Sequence, residues 1–156
     1  MLNKSRIPTG LFNSLLMKTN HIKRFLENNG DKLDERSLAG YLCDLCEEKG
    51  IAVRAHVIAR AQLDPIYGQQ IFEGRAKNPS RDKIIQLSFG FPLNVDETQA
   101  LLRRAKQGAL YPKARRDAMI LFCLNKGKTI METQEMLYEL GLTTFDFGEE
   151  KRNEQK

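Results

Sequence analysis

The sequence is short of the residues that most often carry chemistry: three cysteines and two histidines among 156 residues. An odd number of cysteines leaves a disulfide framework incomplete and points to free thiols in a reducing cytoplasm. His21 and His56 lie far apart in sequence with no clustered nucleophile and base, so a histidine-based triad has no place. A phosphate-cradling glycine loop of the Walker or dinucleotide type is absent. No window approaches the ~20 consecutive apolar residues of a membrane span. Met1 to Thr9 is positively charged but lacks the apolar stretch and small-residue cleavage site of a secretory signal. Alternating apolar and polar runs of strand type are missing, and no internal repeat of fixed period is apparent. The expectation from these absences is an all-α cytoplasmic domain with no enzymatic activity, no cofactor and no metal.

What is present is a globular balance, 41% apolar and 29% charged, with an uneven distribution of charge. The formal net charge of +5 divides into +4 for residues 1–30, −3 for 31–50, +8 for 51–128 and −4 for 129–156. A basic middle between acidic flanks suits a polyanion, because neutralising phosphates releases condensed counterions. The same surplus also fits a merely solvated surface.

Hydrophobic spacing is helical almost throughout. Leu11, Leu15, Leu16, Ile22, Phe25 and Leu26 predict one helix closed by Asn28-Asn29-Gly30. Leu38, Leu42, Leu45 and Cys46 define a second, opened near Asp34 and closed by Gly50. A short third helix runs from Val53 to Ala61. Asp64-Pro65 then sets an N-cap and a first-turn proline for a fourth, ending at Gly74. A fifth starts near Arg81. Asn94 with Glu97 caps a sixth, Tyr111-Pro112 opens a seventh that stops at Gly127, and Thr129 with Glu132 caps an eighth that stops at Gly141. Residues 147–156 are polar and acidic and read as a fraying tail.

Cys43 and Cys46 have the spacing of a zinc or redox pair. At i and i+3 in a helix beside Leu42 and Leu45, they read instead as small core residues. Zinc would need two further ligands, and Cys123, His21 and His56 are distant.

The most informative stretch runs from Val57 to Gly74: a short helix, a three-residue turn and a second short helix, the outline of a helix-turn-helix. Ala61 and Gly68 supply small residues where two such helices would touch, and Ile58, Leu63 and Ile71 supply apolar residues beneath. With Ile71-Phe72-Glu73-Gly74-Arg75-Ala76-Lys77-Asn78-Pro79-Ser80 following, the chain resembles the lambda-repressor-like (Cro/XRE-type) helix-turn-helix family over roughly Leu38 to Phe91. It departs from that family at Gln62, where a turn glycine is usual, and at Gly68, where an apolar residue is common. Residues 98–142 more loosely resemble the helical extensions of some bacterial regulators.

The resemblance implies a lambda-repressor-like core at 34–93, an N-terminal helix within 1–33 as a possible interaction element, an extension at 94–146 and a tail at 147–156. It also implies a bacterial transcription regulator that binds double-stranded DNA as a homodimer, contacting its second copy or a protein partner through the first helix or the extension. In the 65–72 recognition helix, Ile66, Gln69, Gln70 and Glu73 share one face, suited to reading bases. Arg54, Arg75, Lys77, Arg81 and Lys83 flank the two helices and are the candidates for phosphate contact. A recognition helix without lysine or arginine, with Asp64 and Glu73 at its ends, supports as the alternative an adaptor that keeps the motif as scaffold.

Overall fold

The computed structural model describes residues 8–30 and 33–148. Among them are nine helices and no strand, so the protein is all-α. They fall into two units, which divide between Arg36 and Ser37.

The first unit contains α1 (Thr9–Lys18) and α2 (Ile22–Asn28). The sequence predicts one continuous helix here; the structure breaks it at Thr19–His21. Thr19 turns extended (φ −84°, ψ 146°), and its hydroxyl accepts from the His21 amide at 3.2 Å. A threonine side chain offering the backbone this alternative partner competes with helix continuation. The rings of Phe12 and Phe25 meet at 5.4 Å, and Phe25 is the buried residue of α2.

The second unit begins with α3 (Leu38–Glu48), α4 (Arg54–Arg60) and α5 (Pro65–Phe72). Ser37, three residues beyond the expected opening near Asp34, caps α3 by accepting from Gly40. Four more helices follow: α6 (Arg81–Gly90), α7 (Val95–Arg104), α8 (Arg115–Asn125) and α9 (Ile130–Glu139). The helix expected to open at Tyr111-Pro112 starts instead at Arg115, because Tyr111 to Ala114 form a turn closed by the Ala114 amide on the Tyr111 carbonyl. One core joins all seven helices, with Leu42, Ile58, Ile71, Ile84, Leu101, Ile120 and Leu137 at its centre. Phe145 is buried and Phe147 is half-buried against the core, so packing extends one residue into the expected tail. Residues 149–156 of that tail lie outside the described residues.

The structure also corrects the expectation of no repeat. The hairpin α6–α7 recurs as α8–α9, 35 residues further along. Asn94 and Thr129 each open the second helix of a hairpin with a capping box, closed by Glu97 and Glu132. The hydroxyls of Thr98 and Thr133 each donate to the cap carbonyl at 2.8 Å. Gln99 brackets the backbone of Leu110 with two hydrogen bonds, and Gln134 does the same to Phe145. Lys106 and Gly141 hold the same left-handed turn (φ 61° and 70°).

The two hairpins exchange ion pairs. Arg81 donates to both carboxylate oxygens of Asp117 (2.8 and 3.2 Å), and Arg116 to both of Asp82 (2.9 and 3.0 Å). Each Arg-Asp dipeptide reaches the other's partner, as a two-fold relation between the hairpins would give. Arg-Asp and Glu-Thr-Gln recur at this spacing among residues that otherwise mostly differ, and the hydrogen bonds show them as equivalent.

Candidate nucleic-acid interface

The connection between α4 and α5 is held from three sides. Gln62 adopts φ 59°, the left-handed conformation that glycine takes at low cost and that costs other residues ~1–2 kcal/mol. The fully buried Gln86 of α6 compensates: its carboxamide nitrogen donates to the carbonyls of Ala61 (2.9 Å) and Gln62 (3.3 Å). Asp64 then caps α5, its carboxylate accepting from the Tyr67 amide at 3.0 Å. Leu63, between them, is buried and pins the turn to the core.

Two glycines set how closely the helices approach. A Cβ on Gly68 would stand 2.5 Å from Cγ2 of Ile58, which fixes the crossing of α5 over α4. A Cβ on Gly90 would collide with the Val57 carbonyl oxygen, so α6 passes directly against α4. Arg60 strengthens that approach by donating to the Gly90 carbonyl at 2.9 Å. The sequence marks Gly68 as a contact residue but gives no sign of Gly90 or Gln86. Both work across helix pairs far apart in the chain.

The geometry of α5 separates two faces. Gly68, Ile71 and Phe72 are buried. On the other face Ile66 is 70% exposed, Gln69 and Glu73 are exposed and Gln70 is half-buried. The four candidate base readers therefore share an outward face held by a packed inner one.

The five cations differ from one another. Lys77 is exposed, in the loop after α5, with no hydrogen bond or ion pair among the described residues. Arg75 is exposed and pairs with Glu73 through Nε at 2.9 Å, a surface pair that water and salt weaken readily. Arg54 starts α4 with its guanidinium 5.3 Å above the Phe72 ring. Lys83 donates to the Asp146 carbonyl at 2.7 Å.

Arg81 is committed elsewhere. Besides Asp117, it donates to the carbonyls of Gly108 and Ala109, each at 2.9 Å. Burial opposes ionisation of Asp117, yet Arg81, the Tyr111 amide and Arg116 outweigh it and hold its carboxyl below the usual range. Around α5, Lys77 and Arg75 are exposed, whereas Arg54 is half-buried against the Phe72 ring. The backbone of Gln70 accepts from the amides of Arg75 and Ala76, closing α5 and fixing where the following loop departs.

No group of three or more His, Cys, Asp or Glu residues is arranged to hold a metal among the described residues. No helix among them is long and apolar enough to cross a membrane. Compared with known proteins, this chain matches no family model, no curated protein and no solved structure.

Proposed function

We propose that this chain is a sequence-specific DNA-binding regulator of the Cro/XRE type, in which α4 braces and α5 reads the major groove. The observation that carries the reading is the outward face of α5. Ile66, Gln69, Gln70 and Glu73 stand along one side of a helix whose other side is fixed against Ile58. A glutamine can make a bidentate pair with adenine, and an exposed isoleucine can touch a thymine methyl. Lys77, Arg75 and Arg54 flank that face as phosphate contacts that set register. The protein performs no chemistry; it acts by occupying an operator. Short half-sites make two copies about one helical turn apart the natural working form, so the proposal includes a homodimer on DNA in a bacterial cytoplasm.

The decisive experiment first selects a cognate duplex from random sequence, then titrates variants against it and a scrambled duplex. Gln69→Ala with Gln70→Ala should stay folded and lose about 1–3 kcal/mol of discrimination per bidentate pair, with non-specific affinity kept. A cognate-to-scrambled ratio unchanged in that variant sinks α5 as the reader.

One observation favours a second reading. α5 contains no lysine or arginine, Asp64 and Glu73 stand at its ends, and Arg75 is paired with Glu73. Such a surface suits a protein-interaction adaptor built on a helix-turn-helix scaffold. Absence of any DNA complex at low salt would favour it.

A further inference from the structure

We propose that Cys123, Met119 and Met136 form a binding site for a soft monovalent cation, Cu(I) or its surrogate Ag(I), between α8 and α9. The Cys123 thiol lies 3.7 Å from the Met136 thioether sulfur and 4.0 Å from that of Met119. A metal bound to three sulfurs at about 2.3 Å in a plane requires sulfur–sulfur edges of about 4.0 Å, the product of that bond length and √3. The edge from Cys123 to Met119 has this length, and the edge to Met136, at 3.7 Å, needs only a small opening to reach it. The thiol has one proton to donate and two thioether acceptors facing it, so a cation at the centre would use donor capacity that the proton cannot.

The internal repeat supplies a comparison within the same molecule. The positions matching Met119, Cys123 and Met136 in the first hairpin are Ile84, Ser88 and Leu101. There all three are fully buried, and the Ser88 hydroxyl satisfies itself on the Ile84 carbonyl at 3.1 Å. The same fold therefore packs at this place with no sulfur at all. In the second hairpin all three converging positions carry sulfur, in a chain with five methionines and three cysteines. Hydrophobic filling accommodates each of the three residues singly, but it does not call for sulfur at all three converging positions.

Charge and accessibility narrow the ligand. A thiolate with a monovalent cation is neutral, whereas a divalent ion would leave a net charge in a dry core. Thioethers and a thiolate are soft donors that favour Cu(I) over Zn(II), and among the described residues no histidine or carboxylate completes a zinc set. Cys123 is fully buried, but Met119 and Met136 are half-buried and reach toward the surface, providing a route in. Binding forms the sulfur–metal bond of Cys123 and releases its thiol proton to water, with no change in oxidation state.

The test uses the full chain, reduced and without oxygen, carrying Cys43→Ser and Cys46→Ser to remove the other thiols. Cu(I) is supplied in competition with a chromophoric Cu(I) chelator, and Ag(I) in a thermal melt. The expected result is one Cu(I) per chain, a sulfur-only shell near 2.3 Å by X-ray absorption, and a Tm raised by Ag(I). Met119→Leu and Met136→Leu keep side-chain volume and should each weaken binding by about tenfold or more, with circular dichroism unchanged. Cys123→Ser, which installs the residue of the first hairpin, should abolish it. No binding in the Cys43/Cys46 variant, or binding indifferent to both methionine variants, overturns the proposal. Neither outcome depends on DNA binding.

Discussion

Gly68 lies against Ile58 with no room for a methyl group between them: a Cβ there would come within 2.5 Å of one Ile58 carbon and 2.9 Å of another. In a helix interior glycine costs up to ~1 kcal/mol relative to alanine. Here the close crossing of α4 and α5 outweighs that propensity. Gly68→Ala should therefore destabilise the protein, because overpacking of a filled contact costs about 1–3 kcal/mol before the propensity gain is subtracted. Ile58→Ala removes both clashing carbons, so the double variant should be less destabilised than the sum of the two single variants. Urea unfolding of the single and double variants measures both, and an alanine variant more stable than the parent would refute the close crossing.

A second prediction has the opposite sign. Gln62 holds φ 59°, and Gln86 already secures the adjacent carbonyls from the side. Gln62→Gly removes the left-handed penalty of ~1–2 kcal/mol while adding ~0.5–1 kcal/mol of chain entropy loss, for a net gain near 0.5–1 kcal/mol. A higher urea midpoint at unchanged slope is the expected reading. A lower midpoint would mean that the Gln62 side chain, whose Nε2 contacts the Ala59 carbonyl at 3.4 Å, contributes more than its backbone costs.

How far the sequence reveals this arrangement depends on the range of each interaction. Local signals are written plainly. Asp64, Asn94 and Thr129 cap the helices they precede, and Asn94 and Thr129 form the capping boxes their spacing predicts. Interactions across helices are not. Nothing near Gln86 in sequence says that its amide serves a turn 25 residues earlier. Nothing near Gly90 says that Val57 passes over it. The repeat is present in sequence as Arg81-Asp82 with Arg116-Asp117 and Glu97-Thr98-Gln99 with Glu132-Thr133-Gln134. These short matches stand among changed residues, and only their bonds, such as Gln99 to Leu110 and Gln134 to Phe145, show them as equivalent. Arg81 shows the consequence for the site. Its position beside the motif suggests phosphate contact, but Asp117, 36 residues away, takes its guanidinium.

The exchanged ion pairs make acid stability a direct readout. Burial raises and its donors lower the pKa of Asp117, the donors prevailing; for Glu97, Lys49 and the Asn94 amide likewise overcome burial. Both folded values lie below the ordinary carboxylate range. Their contribution is thus fully present above the unfolded pKa near 4 and is lost as pH falls through the lower folded values. Asp117→Asn should cost about 1–3 kcal/mol at pH 7, since Arg81 and the Tyr111 amide lose a charged acceptor. It should also flatten the decline in stability below about pH 4, because the titrating group is gone. Urea midpoints from pH 7 to acid, parent against variant, check both statements; curves that stay parallel would remove Asp117 from the acid response.

The same ion pairs separate two cations that the sequence treats alike. Lys77 stands in solvent beside α5 with no partner among the described residues, whereas Arg81 is held by Asp117, Gly108 and Ala109. On DNA, Lys77→Ala should weaken binding to all sequences alike and shallow the slope of log K against log salt by about 0.9, leaving the urea midpoint unchanged. Arg81→Ala should do the converse. It should lower the urea midpoint by removing the guanidinium that binds both Asp117 oxygens, yet leave the salt slope of the folded protein intact, because its charge is already neutralised within the fold. Salt titrations from low to moderate ionic strength on one duplex, paired with urea curves, give both quantities for both variants. A shallower salt slope in a fully folded Arg81→Ala protein would show that DNA displaces Asp117 and that α6 belongs to the interface after all.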